Sequence, residues 1–172
     1  MTTVVATVTT VATVTTVTDD ETMDVELLTE SDTLRFGRRI GTLLQPGDLV
    51  LLTGPLGAGK TVLAKGIAEA LGVEGRVSSP TFIIAREHRP AAGGRGIPLV
   101  HVDAYRLGDD LAQLDDLDLD TELVEAAVVI EWGEPGTRLS EDHLLVNLIR
   151  REDDSRLAEV TPSGSWEKRW ST

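Results

Sequence analysis

Apolar residues fall in two rhythms along this chain. DLVLLT at 48–53, IPLVHVDAYRL at 97–107 and AAVVIEW at 126–132 each hold a short, almost wholly apolar run. That is the pattern of strands buried on both faces of a parallel sheet. Between them the spacing turns helical. SDTLRFGRRIGTLL at 31–44 sets Leu34, Ile40, Leu43 and Leu44 on one face, with Ser31 as N-cap. A second helix runs from about Lys60 to Leu71 and is closed by Gly72. MDVELL at 23–28 has strand character, QPGD is a turn, and VSSPTFIIAREH at 77–88 begins as a loop and becomes a strand. RPAAGGRG reads as a flexible connector, and the acidic, Leu-spaced stretch 108–120 as short helical pieces with a solvated surface. HLLVNLIR at 143–150 and RLAEVTP at 156–162 read as a hairpin around EDDS. The last ten residues form a short helix or none; in a helix, Trp166 and Trp170 would share one face. Strands alternating with helices predict an α/β fold with a mostly parallel central sheet flanked by helices, and an antiparallel hairpin near the C-terminus.

The first twenty residues, MTTVVATVTTVATVTTVTDD, follow neither rhythm. They lack the basic start and Leu-rich core of a signal peptide. As low-complexity sequence they read as a mobile tail; the alternative is a strand pairing on a sheet edge. The division is a tail over 1–22 and a single domain over 23–172. No run of about 18 apolar residues is present, so no transmembrane helix is read.

Composition narrows the function. Hydrophobic residues are 41% of the 172, enough for a real core, and the formal net charge is −13. That charge argues against a protein that coats nucleic acid, which needs a basic stripe. It does not exclude a partner that carries the nucleic acid. There is no cysteine, hence no disulfide frame and no thiolate metal site, which suits a reducing cytoplasm.

The chemistry sits where the first buried run ends. GPLGAGKT at 54–61 fits G-x-x-x-x-G-K-[ST] in full, after a strand and at the start of a helix. Gly54, Gly57 and Gly59 let the chain curl with positive φ. The curl turns main-chain N–H groups inward as an anion nest, and the helix start adds its own. Leu56, Ala58 and Val62 complete the stretch assigned to the nucleotide. Lys60 brings a full charge to the β- and γ-phosphates, and Thr61 a hydroxyl for magnesium. The sequence therefore predicts a P-loop NTPase-like domain that binds ATP or ADP with Mg²⁺. Two strands end in an acid, Asp103 and Glu131, at the sheet edge where open α/β sheets bind ligands. Spacing alone does not decide which of them reaches the metal. SSPTF at 78–82 is either a switch segment sensing the γ-phosphate or a plain turn. His101, inside a strand, reads as a sheet histidine rather than a general base. His88 and His143 are not singled out. Trp132 packs over the site, faces a partner or fills the core.

TLRFGRRIG, GPLGAGKT, SSPTF, HVDAYRL and VIEWGE, in this order over about residues 23–162, resemble the TsaE family. These are small bacterial P-loop ATPases of tRNA threonylcarbamoyladenosine biosynthesis. The resemblance implies roles residue by residue. Lys60 and Thr61 match the phosphate lysine and the magnesium hydroxyl, and Glu131 the magnesium-linked acid. Asp103 matches a second acid needed for hydrolysis, Thr81 the switch threonine, and Arg156 an arginine near the nucleotide. It also implies TsaB-like and TsaD-like partners, with tRNA engaged only indirectly. Pro55 departs from the family pattern by standing where an acid is usual, and GGRG at 93–96 lengthens a connector. No arginine is evidently placed as a finger in cis, though Arg86, Arg106 and Arg138 are available, so hydrolysis is expected to be weak alone and faster with partners. The rival readings are a small-molecule or nucleoside kinase, whose lid could only be REHRPAAGGRG, and a non-catalytic nucleotide-dependent scaffold.

Overall fold

The computed structural model describes residues 14–17, 22–78, 85–104, 124–131 and 142–171. The sheet is built on β3 (Leu49–Thr53) and β6 (Ala127–Glu131), every residue of which is buried. They pair in parallel. β7 (Leu144–Arg150) joins the free side of β3 and β5 (Leu99–Asp103) the free side of β6, both in parallel. Three of these four strands are the apolar runs read from the sequence; β7, expected only as half of the closing hairpin, also joins the parallel centre through β3. It is extended by antiparallel strands: β4 (Ala85–His88) on β5, and β8 (Arg156–Pro162) then β2 (Met23–Leu27) beyond β7. β1 (Val14–Val17) pairs on β2, giving the order β1-β2-β8-β7-β3-β6-β5-β4. Within the stretch read from the sequence as a tail, Val14–Val17 lies antiparallel beside β2.

Among the described residues, three helices pack on one face. α1 (Glu30–Leu43) starts two residues earlier than the sequence suggests, and its N-cap is Thr29, not Ser31. The Thr29 hydroxyl accepts from the Asp32 amide (3.1 Å) and the Asp32 carboxylate accepts from the Thr29 amide (2.9 Å). This reciprocal box satisfies donors that a helix start leaves open. α2 (Lys60–Leu71) ends on Gly72, whose left-handed backbone lets its N–H bond the Ala68 and Glu69 carbonyls. α1 and α2 cross at glycines. A Cβ built on Gly66 would lie 2.2 Å from the Leu34 carbonyl oxygen, and one on Gly37 2.2 Å from that of Leu63. α3 (Ser165–Trp170) settles the open question of the C-terminal residues. Trp166 and Trp170 are both buried, and Phe36 meets Trp170 edge-on with centroids 5.9 Å apart. Arg169 then clamps Asp48 at 2.6 and 2.8 Å, tying α3 to the turn between α1 and β3.

The apolar core lies between these helices and the sheet, running through Leu27, Ile40, Leu52, Ile67, Val129, Val146 and Trp166. A second cluster, including Leu51, Val102, Val128 and Ile130, occupies the opposite face. Strand parity thus sends Leu99, Val129 and the residues two further on, His101 and Glu131, to the α2 side. The acidic stretch 108–120, the SSPTF threonine Thr81, and Trp132, Arg106 and Arg138 lie outside the described residues.

Candidate functional site

β3 ends at Thr53, and the turn that follows is forced by its surroundings. Gly54 has φ 131°, and a Cβ there would stand 2.3 Å from the Leu148 carbonyl oxygen of β7. Gly57 and Gly59 also have positive φ, 79° and 105°. A side chain at these three positions would be strained or would clash, so the glycine pattern is explained by geometry. The turn is braced by the Ala58 amide donating to the Pro55 carbonyl (3.1 Å). Pro55 lacks an N–H, yet its carbonyl serves the turn twice, since Lys60 Nζ also donates to it (3.0 Å) and to Gly54 (2.7 Å).

α2 begins with no side-chain cap on Gly59. Its first backbone bond is Leu63 N–H to the Gly59 carbonyl (3.0 Å). The amides of Lys60, Thr61 and Val62 therefore have no intrahelical acceptor, as at any helix start. An uncapped helix start, a glycine curl and an ammonium converge on one spot, an arrangement suited to a polyanion. Burial lowers the Lys60 pKa from its ordinary value, opposed by the nearby charges of Glu131 and Asp103.

The acids are where the strand ends put them. Asp103 and Glu131 are register partners at the ends of β5 and β6. Glu131 is buried, only 4% exposed. Its Oε2 accepts a hydrogen bond from the Thr61 hydroxyl at 3.0 Å. Its Oε1 lies 2.7 Å from His101 Nε2. A hydroxyl whose proton is taken by a carboxylate keeps its lone pairs free. Hard oxygen donors of this kind suit Mg²⁺, which shares its shell with phosphates and water.

On the other flank, the β7–β8 hairpin leans on the turn. Arg156 Nε donates to the Ala58 carbonyl at 3.1 Å and its NH1 to the Asp154 carbonyl at 3.0 Å. Arg150, held by Asp154, brings NH1 within 3.5 Å of a Cβ built on Gly57. Leu56, at the tip of the turn, is 88% exposed.

The structure thus gathers Gly54, Leu56, Gly57, Ala58, Gly59, Lys60, Thr61, Val62, Asp103, Glu131 and Arg156 at one end of the parallel strands. Thr81 lies outside the described residues. Two further neighbours flank the site. His101 reads from the sequence as a sheet histidine, although it stands two residues before Asp103 and so shares its face. Arg150 carries no local signal, because nothing in the sequence says that the hairpin folds over the glycine turn. The kinase-type lid finds no support in the connector after β4. Ala91 N–H bonds the Gly72 carbonyl (2.9 Å), and Arg95 NH1 bonds the Gly41 carbonyl (2.5 Å). That connector is pinned to the C-terminal ends of α1 and α2, the far end of α2 from Lys60.

Comparison with known proteins agrees with the geometry. The family model described as Threonylcarbamoyl adenosine biosynthesis protein TsaE matches residues 27–158. The tRNA threonylcarbamoyladenosine biosynthesis protein TsaE of Mycobacterium tuberculosis strain H37Rv is 56% identical over 134 residues, 74% of this chain and 79% of that protein. The protein of the same description from Streptomyces coelicolor is 51% identical over 139 residues, 79% of this chain and 92% of its own. The crystal structure of Bacillus subtilis YdiB is similar with a TM-score of 0.69 at 27% identity, covering 87% of this chain and 92% of that one.

Proposed function

The chain belongs to the TsaE family of tRNA threonylcarbamoyladenosine biosynthesis, and from that premise we propose that it is a magnesium-dependent ATPase that binds ATP and ADP and acts on a TsaB–TsaD-type complex. The observation that carries this reading is the bond from the Thr61 hydroxyl to buried Glu131 at the foot of the glycine turn. A P-loop fold uses such a pair to present a hydroxyl oxygen to the nucleotide's cation.

The roles follow from position. The amides of Gly57 and of Gly59 to Val62 and the Lys60 ammonium hold the phosphates, with Gly54, Leu56, Gly57, Ala58 and Gly59 shaping the curl. Thr61 and Glu131 hold Mg²⁺, which when bound would neutralise charge on the phosphates. Asp103, beside Glu131, orients the attacking water. Arg156 steadies the turn from the hairpin side, and Thr81 senses the γ-phosphate. Among the described residues, both guanidiniums beside the turn already have partners, Arg150 on Asp154 and Arg156 on two carbonyls. That supports slow hydrolysis by the protein alone and faster turnover with partners. The net charge of −13 favours docking on proteins, with tRNA reached only through them, in the cytoplasm.

ATP hydrolysis and pull-down with a purified TsaB–TsaD pair test this, using wild type, Lys60→Ala and Glu131→Ala. Slow phosphate release alone, stimulation by the pair, and loss in both folded variants are expected. Fast turnover alone, or no association with the pair in any nucleotide state, would overturn the partner-coupled reading.

A further inference from the structure

We propose that His101 is a positioning residue for the magnesium site, acting through Glu131. This rests on the reading of the glycine turn as a Mg²⁺-nucleotide site.

His101 is 1% exposed, in the middle of β5, next to Val129 in the adjoining strand. Its Nε2 lies 2.7 Å from Glu131 Oε1, while Nδ1 has no hydrogen-bond partner among the described residues. A carboxylate can only accept, so Nε2 carries the hydrogen. The ring donates from Nε2 to one oxygen of Glu131 and leaves the other for Thr61.

The consequence is orientational. A Glu side chain at a strand end has several rotamers, and its carboxyl plane turns freely. With Oε1 tied to a ring fixed in the sheet, Oε2 stays 3.0 Å from the Thr61 hydroxyl. The Thr61 proton is then committed to Glu131, which leaves the hydroxyl lone pairs free for a cation. Without His101, Glu131 retains its charge but not its aim. His101 touches neither phosphate nor cation.

The test is equilibrium calorimetry of ADP binding, with and without Mg²⁺, to wild type, His101→Leu and His101→Gln, with thermal unfolding of each. The ratio of the two affinities measures how strongly the cation is coupled. In His101→Leu the Mg²⁺-free ADP affinity stays near wild type, and the magnesium-dependent gain falls by about 10–100-fold, the usual scale for a partner that orients a metal ligand. His101→Gln, whose amide nitrogen can replace Nε2, restores most of the gain. A folded His101→Leu protein with the wild-type magnesium gain would overturn the proposal. So would equal losses in His101→Leu and His101→Gln that track their melting temperatures, since that is a packing effect. Failure of wild type itself to bind ADP would instead remove the Mg²⁺-nucleotide reading.

Discussion

The helix crossing under the site allows a quantitative test in which two effects have opposite signs. Gly66→Ala adds one methyl to α2. On helix propensity alone the change stabilises by about 1 kcal/mol, because alanine loses less backbone entropy than glycine. The structure opposes this. The new Cβ would lie 2.2 Å from the Leu34 carbonyl oxygen, and 3.0 Å from both the Arg38 nitrogen and the Gly37 Cα. All three are backbone atoms, so no side chain can rotate away. Reaching an ordinary carbon–oxygen separation of ~3.3 Å requires the helices to part by about 1 Å. Overpacking of this kind costs typically ~1–3 kcal/mol, and this contact is at the severe end. The expected net loss is about 1–2 kcal/mol, or a fall of roughly 2–8 °C in Tm for a domain of this size. Urea denaturation of wild type, Gly66→Ala and Gly37→Ala, with unchanged m-values, measures it. Because α2 carries Lys60 and Thr61 on its first turn, the same shift should weaken magnesium-dependent ADP binding. A Gly66→Ala protein about 1 kcal/mol more stable than wild type would show that the helices do not meet at these glycines.

Other substitutions probe the site and its supports. Glu131→Gln keeps the shape but offers one acceptor oxygen to two donors, Thr61 and His101. The amide nitrogen then donates to Thr61 or faces His101, and calorimetry should show the magnesium-dependent gain in ADP affinity reduced by at least ~10-fold. Arg156→Ala removes the bonds to the Ala58 and Asp154 carbonyls; a fall in ADP affinity is expected, with unfolding free energy lowered by about 1–3 kcal/mol as for two hydrogen bonds. Burial holds the His88 pKa below its ordinary 6.5, with His101 and Arg86 adding repulsion and the Glu74 carbonyl opposing. The unfolded chain therefore takes up this proton at a higher pH than the native protein does. Stability is unaffected by His88 above about pH 6.5 and declines as pH falls below it. Urea midpoints across that range should show the wild-type decline exceeding that of His88→Gln, and parallel curves would refute the assignment.

How much of this was legible in the sequence depends on how far apart the interacting residues lie. The glycine turn, both strand-end acids and three of the four parallel strands could be read directly, because their signals are local: an eight-residue pattern and uninterrupted apolar runs; β7 alternates and reads only as half of a hairpin. The antiparallel additions were only partly visible. β2 and the closing hairpin could be read, but their pairing depends on register between segments more than 100 residues apart, as in Met23 against Val160. The α1–α2 crossing was hidden because Gly37 and Gly66 reveal their purpose only when stacked. α3 remained open because six residues carry no decisive periodicity; its place is set by Trp170 on Phe36 and Arg169 on Asp48. His101 could have been identified from its two-residue spacing to Asp103. Arg150 could not, because its place at the glycine turn comes from the packing of the β7–β8 hairpin.

The central claim is that the curl from Gly54 to Thr61 holds the phosphates of a nucleotide with one ammonium and one divalent cation. Calorimetry with ATP and with ADP in the presence of Mg²⁺, on folded wild type and Lys60→Ala, tests it most directly. Binding by wild type, weakened at least ~10-fold in Lys60→Ala by loss of a charged hydrogen-bond donor, is the predicted result. A folded wild-type protein that takes up neither nucleotide, or a Lys60→Ala protein that binds as well as wild type, would contradict it.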